Sequence, residues 1–348
     1  IMIPEHTWGL DVKTHLKDHE HYDRESFEKM KTSAPNYLKM EESWQEQRDY
    51  LYDAVGALGK EQQEKAVACM KEAVREEADV THMRECQTGE ILMRGEYQIQ
   101  FDETGRIVYL KNGHRLVADR DHALLQICYE QFSGADYERF FHQYNRLDEE
   151  WAREDFKKLG MEEAAKEHVS IQPKTARVYE GADCIVVKYE FEKQVYERYG
   201  CPERMDAVLY PGDEGLLIDI GWFDKPANRI AEAIWVGFEP IGRNKRIRKL
   251  SAWIDPKRVV PKGQSRLHAT DYGVRYDELE IETLDTALVA PQEPSLLNFC
   301  DDRPETGKAF FNLYNNIWGT NFPMWYEEDA RFRFVLALKD FMKGKEGE

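Results

Sequence analysis

The sequence predicts a mainly β protein: a large antiparallel β-sandwich preceded by a small α-helical bundle. Apolar residues recur at helical spacing between residues 24 and 88, then switch to strict alternation. Turn residues, and no regular crossover helices, separate the alternating runs, which favours antiparallel pairing over a parallel α/β sheet. With 348 residues, 42% of them hydrophobic, the chain has enough apolar surface for a large core.

Residues 1–23 read as the end of a strand (Ile1, Met2, Ile3) followed by a charged loop. The expectation is that they close a barrel lying upstream. Residues 24–88 read as the bundle. Met40, Trp44, Leu51, Val55 and Leu58 form one helical stripe, and Gly59 follows as a stop. Val67, Met70 and Val74 form a second stripe, and a short third helix is expected from Arg24 to Thr32. Residues 89–340 read as the sandwich. In "ILMRGEYQIQF", Ile91, Met93, Tyr97, Ile99 and Phe101 are expected on one face. Thr104-Gly105 marks a hairpin turn. Further alternation places Ile185, Val187, Tyr189 and Phe191 inward, then Ile218, Ile220 and Trp222, then Phe332, Phe334, Leu336 and Leu338. Residues 136–169 are charged and partly helical, and read as an excursion on the sandwich surface. The terminal "KGKEGE" reads as a frayed tail.

Net charge is −18. Such acidity repels phosphate backbones and anionic lipid, so neither nucleic acid nor membrane is an expected partner. No apolar run approaches the ~20 residues of a membrane helix. A neutral ligand suits the charge. Cys69, Cys86, Cys128, Cys184, Cys201 and Cys300 are scattered without a C-x-x-C pair, as buried free thiols would be. They favour a reducing compartment such as the cytoplasm.

Four stretches carry candidate chemistry. "NLYNNIWGTNFPMWYEED" (312–329) mixes aromatic rings with amides and carboxylates. That combination either packs and hydrogen-bonds a sugar or docks one domain on another. "SRLHATDYGVRYDELEIETLDTALVAP" (265–291) brings together His268, Asp271, Tyr272 and Arg275, as an acid–base group or as a satisfied surface network. His15, His19 and His21 with Asp18, Glu20 and Asp23 form either a cation site or a solvated loop, and the polar surroundings favour the loop. "GRNKRIRKL" (242–250) is a basic run that fits an acidic partner, an anionic sugar, a balanced surface strand or a homo-oligomer contact. No phosphate loop, nucleophile elbow or dinucleotide fingerprint is present.

A strand end carrying "EHTWG", a helical bundle and a sandwich ending in "FNLYNNIWGTNFPMWYEEDARFRFVLAL" together resemble the C-terminal half of glycoside hydrolase family 38, the α-mannosidase-like group, in a bacterial branch. The resemblance is specific over residues 4–14 and 310–336. It implies an upstream barrel domain or chain, glycosidase activity on a mannoside-like glycan, and one zinc ion. His6 corresponds to the metal ligand that precedes the bundle, although His6-Thr7-Trp8-Gly9 replaces the family's His followed by Gly-Thr. Glu5, Trp8, Trp318, Asn321, Trp325 and His268 are the expected carbohydrate contacts, the last because a sandwich loop reaches the site in that family. The nucleophile and acid are not assigned, and this chain alone is expected to be inactive. The alternative is a carbohydrate-binding or assembly module without catalysis.

Overall fold

The computed structural model describes residues 9–145, 149–260, 263–299 and 307–338. It is mainly β: two 10-stranded antiparallel sheets form a sandwich, and a helical part precedes it. The first sheet runs in the order Arg84–Glu85, Thr175–Glu180, Ile185–Glu190, Arg204–Gly212, Gly215–Phe223, Ala330–Leu338, Leu279–Thr283, Gly273–Arg275, Arg246–Lys249 and Ala252–Ile254. The second runs His268–Ala269, Leu288–Ala290, Ala309–Asn315, Glu232–Phe238, Leu124–Gln131, Ile107–Asn112, Tyr97–Phe101 and Ile91–Arg94. Arg115–Ala118 and Val169–Ile171 pair beside this path.

The inward faces build one core, in which Ile218, Ile220, Trp222 and Phe334 meet Ile234, Val236, Phe238 and Phe311. These are the alternating positions expected from a period of two. One hairpin departs from the expectation. Leu92 is buried, whereas Ile91 is 48% and Met93 55% exposed. The turn between Arg94 and Tyr97 holds only Gly95 and Glu96, so Leu92 pairs with Ile99 and Met93 with Gln98. Paired positions therefore have opposite parity, and residues of like parity face opposite ways across the turn.

Glu232–Phe238 is buried at every position. Ile234, Val236 and Phe238 point into the sandwich, while Ala233 and Trp235 point outward into a second cluster with Phe132, Tyr137, Phe140, Met161 and Phe310. The excursion supplies that cover through helices Gly134–Tyr144, Glu150–Phe156 and Met161–Ala164. It is thus a third layer, not a surface decoration. The first of these helices starts with a capping box, in which Ser133 and Asp136 satisfy each other's backbone N–H groups.

The helical part consists of α1 (Arg24–Ser33), α2 (Pro35–Gly56) and α3 (Lys60–Ala73). Asp23 caps α1, and Pro35 opens α2 after an extended Ala34, as a residue before proline prefers. The buried residues of α2 are Tyr37, Met40, Ser43 and Trp44, all in its first half, and α3 buries none. Leu51, Leu58 and Val67 of the expected stripes are exposed. α1 and the first half of α2 share one buried cluster with Met324 and Trp325, whereas the end of α2 and all of α3 bury nothing. Gly59 is not the stop of α2, which ends at Gly56. It precedes α3 as its N-terminal flanking residue.

Candidate functional site

The site is assembled where the chain's beginning, the first half of α2 and residues 316–329 converge. Glu5, His6 and Trp8 lie outside the described residues. From Gly9 onward the segment is clamped. Gly9 has φ +144°, and a Cβ there would stand 2.4 Å from the Trp44 ring, so only glycine fits. The Leu10 N–H donates to Ser43 Oγ at 3.1 Å, and the Val12 N–H to the Thr320 carbonyl at 3.0 Å. Asp11 caps one wide π-turn, Val12–Leu16, by accepting from the Thr14 N–H. Leu16 is fully buried.

Trp325 is the centre of this junction. Its ring stacks on Tyr37 at 5.5 Å and meets Phe27 and Trp44 edge-on at 5.2 and 4.7 Å. Its indole N–H donates to Glu41 at 2.8 Å. Aromatic pairs of this kind contribute about 0.5–1.5 kcal/mol each beyond area burial. At 4% exposure, however, Trp325 offers no open face. Trp318 faces a different neighbour, meeting Phe140 and Phe156 of the excursion edge-on at 6.0 and 6.4 Å. Asn321 is half-buried. Of the expected carbohydrate contacts that are described, Trp325 alone lines the nearby groove.

That groove holds about 380 Å³ and lies between α2 and residues 325–328. Glu41, Glu42, Glu327 and Glu328 line it together with Trp44, Tyr326, Gln45 and Arg48. Lys31 donates to both oxygens of Glu327 at 2.6 Å and stands 3.9 Å from Glu41. Arg48 pairs with Glu328. The rim is therefore acidic and the floor aromatic, an arrangement that accepts hydroxyl donors and repels anions.

His268 is placed elsewhere. It sits on the edge strand of the second sheet, 3% exposed, with Nε2 3.2 Å from the Ser265 carbonyl. Burial, aided by the nearby Lys249 charge, lowers its pKa to about 4. It is a neutral packed imidazole and does not line the groove. Its neighbours form a stack instead: Arg275 lies over Trp253 at 4.5 Å, and Arg248 over Tyr272 at 4.9 Å.

Beneath the junction lies a charged layer that sequence reading missed. Lys225 and Glu232 are fully buried and paired at 2.5 Å. Glu232 also accepts from Tyr129 Oη at 2.7 Å and Asn228 Nδ2 at 2.8 Å. Arg229, likewise fully buried, donates to Asp18 Oδ1 and Tyr37 Oη at 2.8 Å each, and lies 4.1 Å from the Tyr22 ring centre. Burial raises the Asp18 pKa, but hydrogen bonds from Arg229 and from the Glu20 and His21 N–H groups outweigh it and hold the carboxyl well below its ordinary value. Lys158 donates to the Arg229 carbonyl at 2.8 Å. Burial, reinforced by Arg229 and Lys225, drives its pKa well below that of an ordinary lysine. Lys225, Arg229 and Glu232 fall at spacings of four and three, the last at the first position of the fully buried strand. Charges abutting such an apolar run are the signal that could have found them.

The layer also accounts for the histidine-rich loop. Asp18 accepts from His21 Nδ1 at 2.7 Å while holding Arg229, so this stretch anchors the chain. Among the described residues no group of His, Cys, Asp and Glu could hold a metal ion, and no helix is long and apolar enough to cross a membrane.

Fold and junction define a β-sandwich protein with a clamped N-terminal segment and an acidic, aromatic groove. The profile of the family described as "Domain of unknown function (DUF5054)" matches residues 1–210, more than half of the chain. The chain belongs to that family. Comparison with curated proteins finds no match.

Proposed function

We propose that this chain is the helical and β-sandwich portion of a glycoside hydrolase family 38-like glycosidase, acting on a mannoside-like glycan together with an upstream barrel domain. The clamp on residues 9–18 carries the reading. A working residue must be held to within about 0.5 Å, which calls for a rigid support behind it. Gly9, Leu10, Val12, Leu16 and Asp18 are each tied to α2, the 320–325 stretch or Arg229, directly behind Glu5 and His6 in sequence. Barrel enzymes carry their chemistry on segments of this kind, where strands end and loops begin. The adjoining groove is acidic and aromatic, which suits a neutral polyhydroxylated ligand. In this reading His6 would supply one ligand to a zinc ion, and the other ligands would come from the barrel.

The test is hydrolysis of aryl α-mannosides and other aryl glycosides by the 348-residue chain alone and joined to its barrel. Turnover is expected only from the joined protein, with zinc content and activity both lost in His6→Ala. Turnover by the chain alone would refute the division of labour. Equal zinc in wild type and His6→Ala would remove His6 from the ligand set. The acidic and aromatic groove also suits a second reading, a non-catalytic glycan-binding or assembly module. It predicts glycan retention without hydrolysis in both forms.

A further inference from the structure

At the far end of the first sheet, strands Arg246–Lys249 and Ala252–Ile254 leave a cavity of about 280 Å³. Arg243, Lys245, Arg246 and Lys257 line it, with Asn244, Tyr276 and a single carboxylate, Asp255. In a chain of net charge −18 this local excess of cations stands out. Asp255 is engaged with Arg246 at 3.4 Å and with the Lys257 N–H at 2.9 Å. Asp277, the next carboxylate, is held by the Arg243 N–H at 2.8 Å and by Asn244 Nδ2 at 2.6 Å. The side chains of Arg243 and Lys257 have no ion-pair or hydrogen-bond partner among the described residues. Lys245 donates to the Lys308 carbonyl at 2.6 Å and to the Pro291 carbonyl, so its amine is fixed in the wall.

We propose that this cavity binds an oxyanion, a phosphate or sulfate that is free or esterified to a small sugar. Guanidinium and ammonium groups converging on one cavity supply charge-assisted hydrogen bonds to tetrahedral oxygens, and an Arg can engage two of them at once. Among the described residues Asp255 offsets part of this charge through Arg246, while the side chains of Arg243 and Lys257 keep theirs available. Burial, with Lys257 adding to it and Glu239 opposing, lowers the Lys245 pKa to about 7. The volume leaves room for an oxyanion and a small attached group, and none for a folded partner. The site is separate from the acidic groove and does not depend on the glycosidase reading.

Calorimetric titration of the full chain at low ionic strength tests it, with inorganic phosphate, sulfate, hexose 6-phosphate and the neutral hexose as probes. Saturable binding of the anions and none of the neutral hexose at this site is expected. Arg243→Ala and Lys257→Ala should each weaken the anions about tenfold. Both side chains are exposed, and unchanged thermal unfolding will confirm that the variants fold. Added sodium chloride should weaken binding further. Tighter binding of hexose phosphate than of phosphate would identify the ester as ligand, and equal binding the free anion. No saturable heat from any anion at about 10 mM, or unchanged affinity in both variants, would overturn the proposal.

Discussion

Lys225 and Glu232 sit side by side with no exposure, and their charges are tolerated only because each answers the other. Removing one partner leaves an uncompensated charge in the interior. Lys225→Met should therefore cost about 3–5 kcal/mol in denaturant unfolding. The double variant Lys225→Met/Glu232→Leu should cost less than that single change. His168 makes a separate case. Its Nδ1 is 3.2 Å from Asp136, and its Nε2 3.5 Å from Glu130. Hydrogen bonds to Asp136 and then Glu130 raise its pKa to about 9. The folded pKa exceeds the unfolded value of ~6.5, so the stabilisation is complete below ~6.5 and fades as pH rises toward 9. Thermal unfolding of wild type and His168→Gln should diverge at pH 6 and converge near pH 9.5. Parallel curves across that range would refute the assignment.

Among elements, the excursion meets the N-terminal segment through the Lys13–Asp155 pair at 2.5 Å, through Tyr22 in the cluster with Tyr137 and Met161, and at one close backbone approach. Gly160 has φ +85°, and a Cβ there would lie 1.6 Å from the His19 carbonyl oxygen. Gly160→Ala must both strain the backbone and push residues 18–21 off Arg229. A loss of more than ~1 kcal/mol is expected, together with faster proteolysis within residues 10–23. Retention of wild-type stability would show that the segment can be displaced without cost. The same element scale explains why the stripes on α2 and α3 misled. Met40 and Trp44 are buried because Trp325 comes to meet them, whereas Leu51 and Val67 have no such neighbour. Periodicity says which residues share a face, not whether anything covers it.

Over the whole molecule, stability is concentrated in the sandwich and the layer over its second sheet. Since α3 buries no side chain, its amides should exchange by local opening at far lower free energy than those of Gly215–Phe223 or Glu232–Phe238. Hydrogen exchange read by mass spectrometry checks this. Protection of Lys60–Ala73 equal to that of the sheets would mean that α3 is covered in solution. Exchange within the excursion should follow the sheets, because Phe140 and Met161 are part of the cluster around Trp235.

The mainly β class, the antiparallel pairing and the helical start were legible in the sequence, because periods of 3.6 and 2 are local properties of backbone geometry. The inward faces of Ile185–Glu190 and Gly215–Phe223 follow from the same rule. The sidedness of Ile91 and Met93 was not legible, because it depends on how many residues the turn consumes. The junction was half legible: "NFPMWYEED" advertises its aromatic rings, but only the tertiary structure decides that Trp325 spends its faces on Phe27, Tyr37 and Trp44 and not on a ligand. The burial of Lys225, Arg229 and Glu232 was decided by the tertiary structure. Lys225 and Glu232 answer each other seven residues apart, but Asp18, Tyr37 and Tyr129, which complete the layer, lie far away in the chain, and buried charges persist only where such segments bring hydrogen bonds to them.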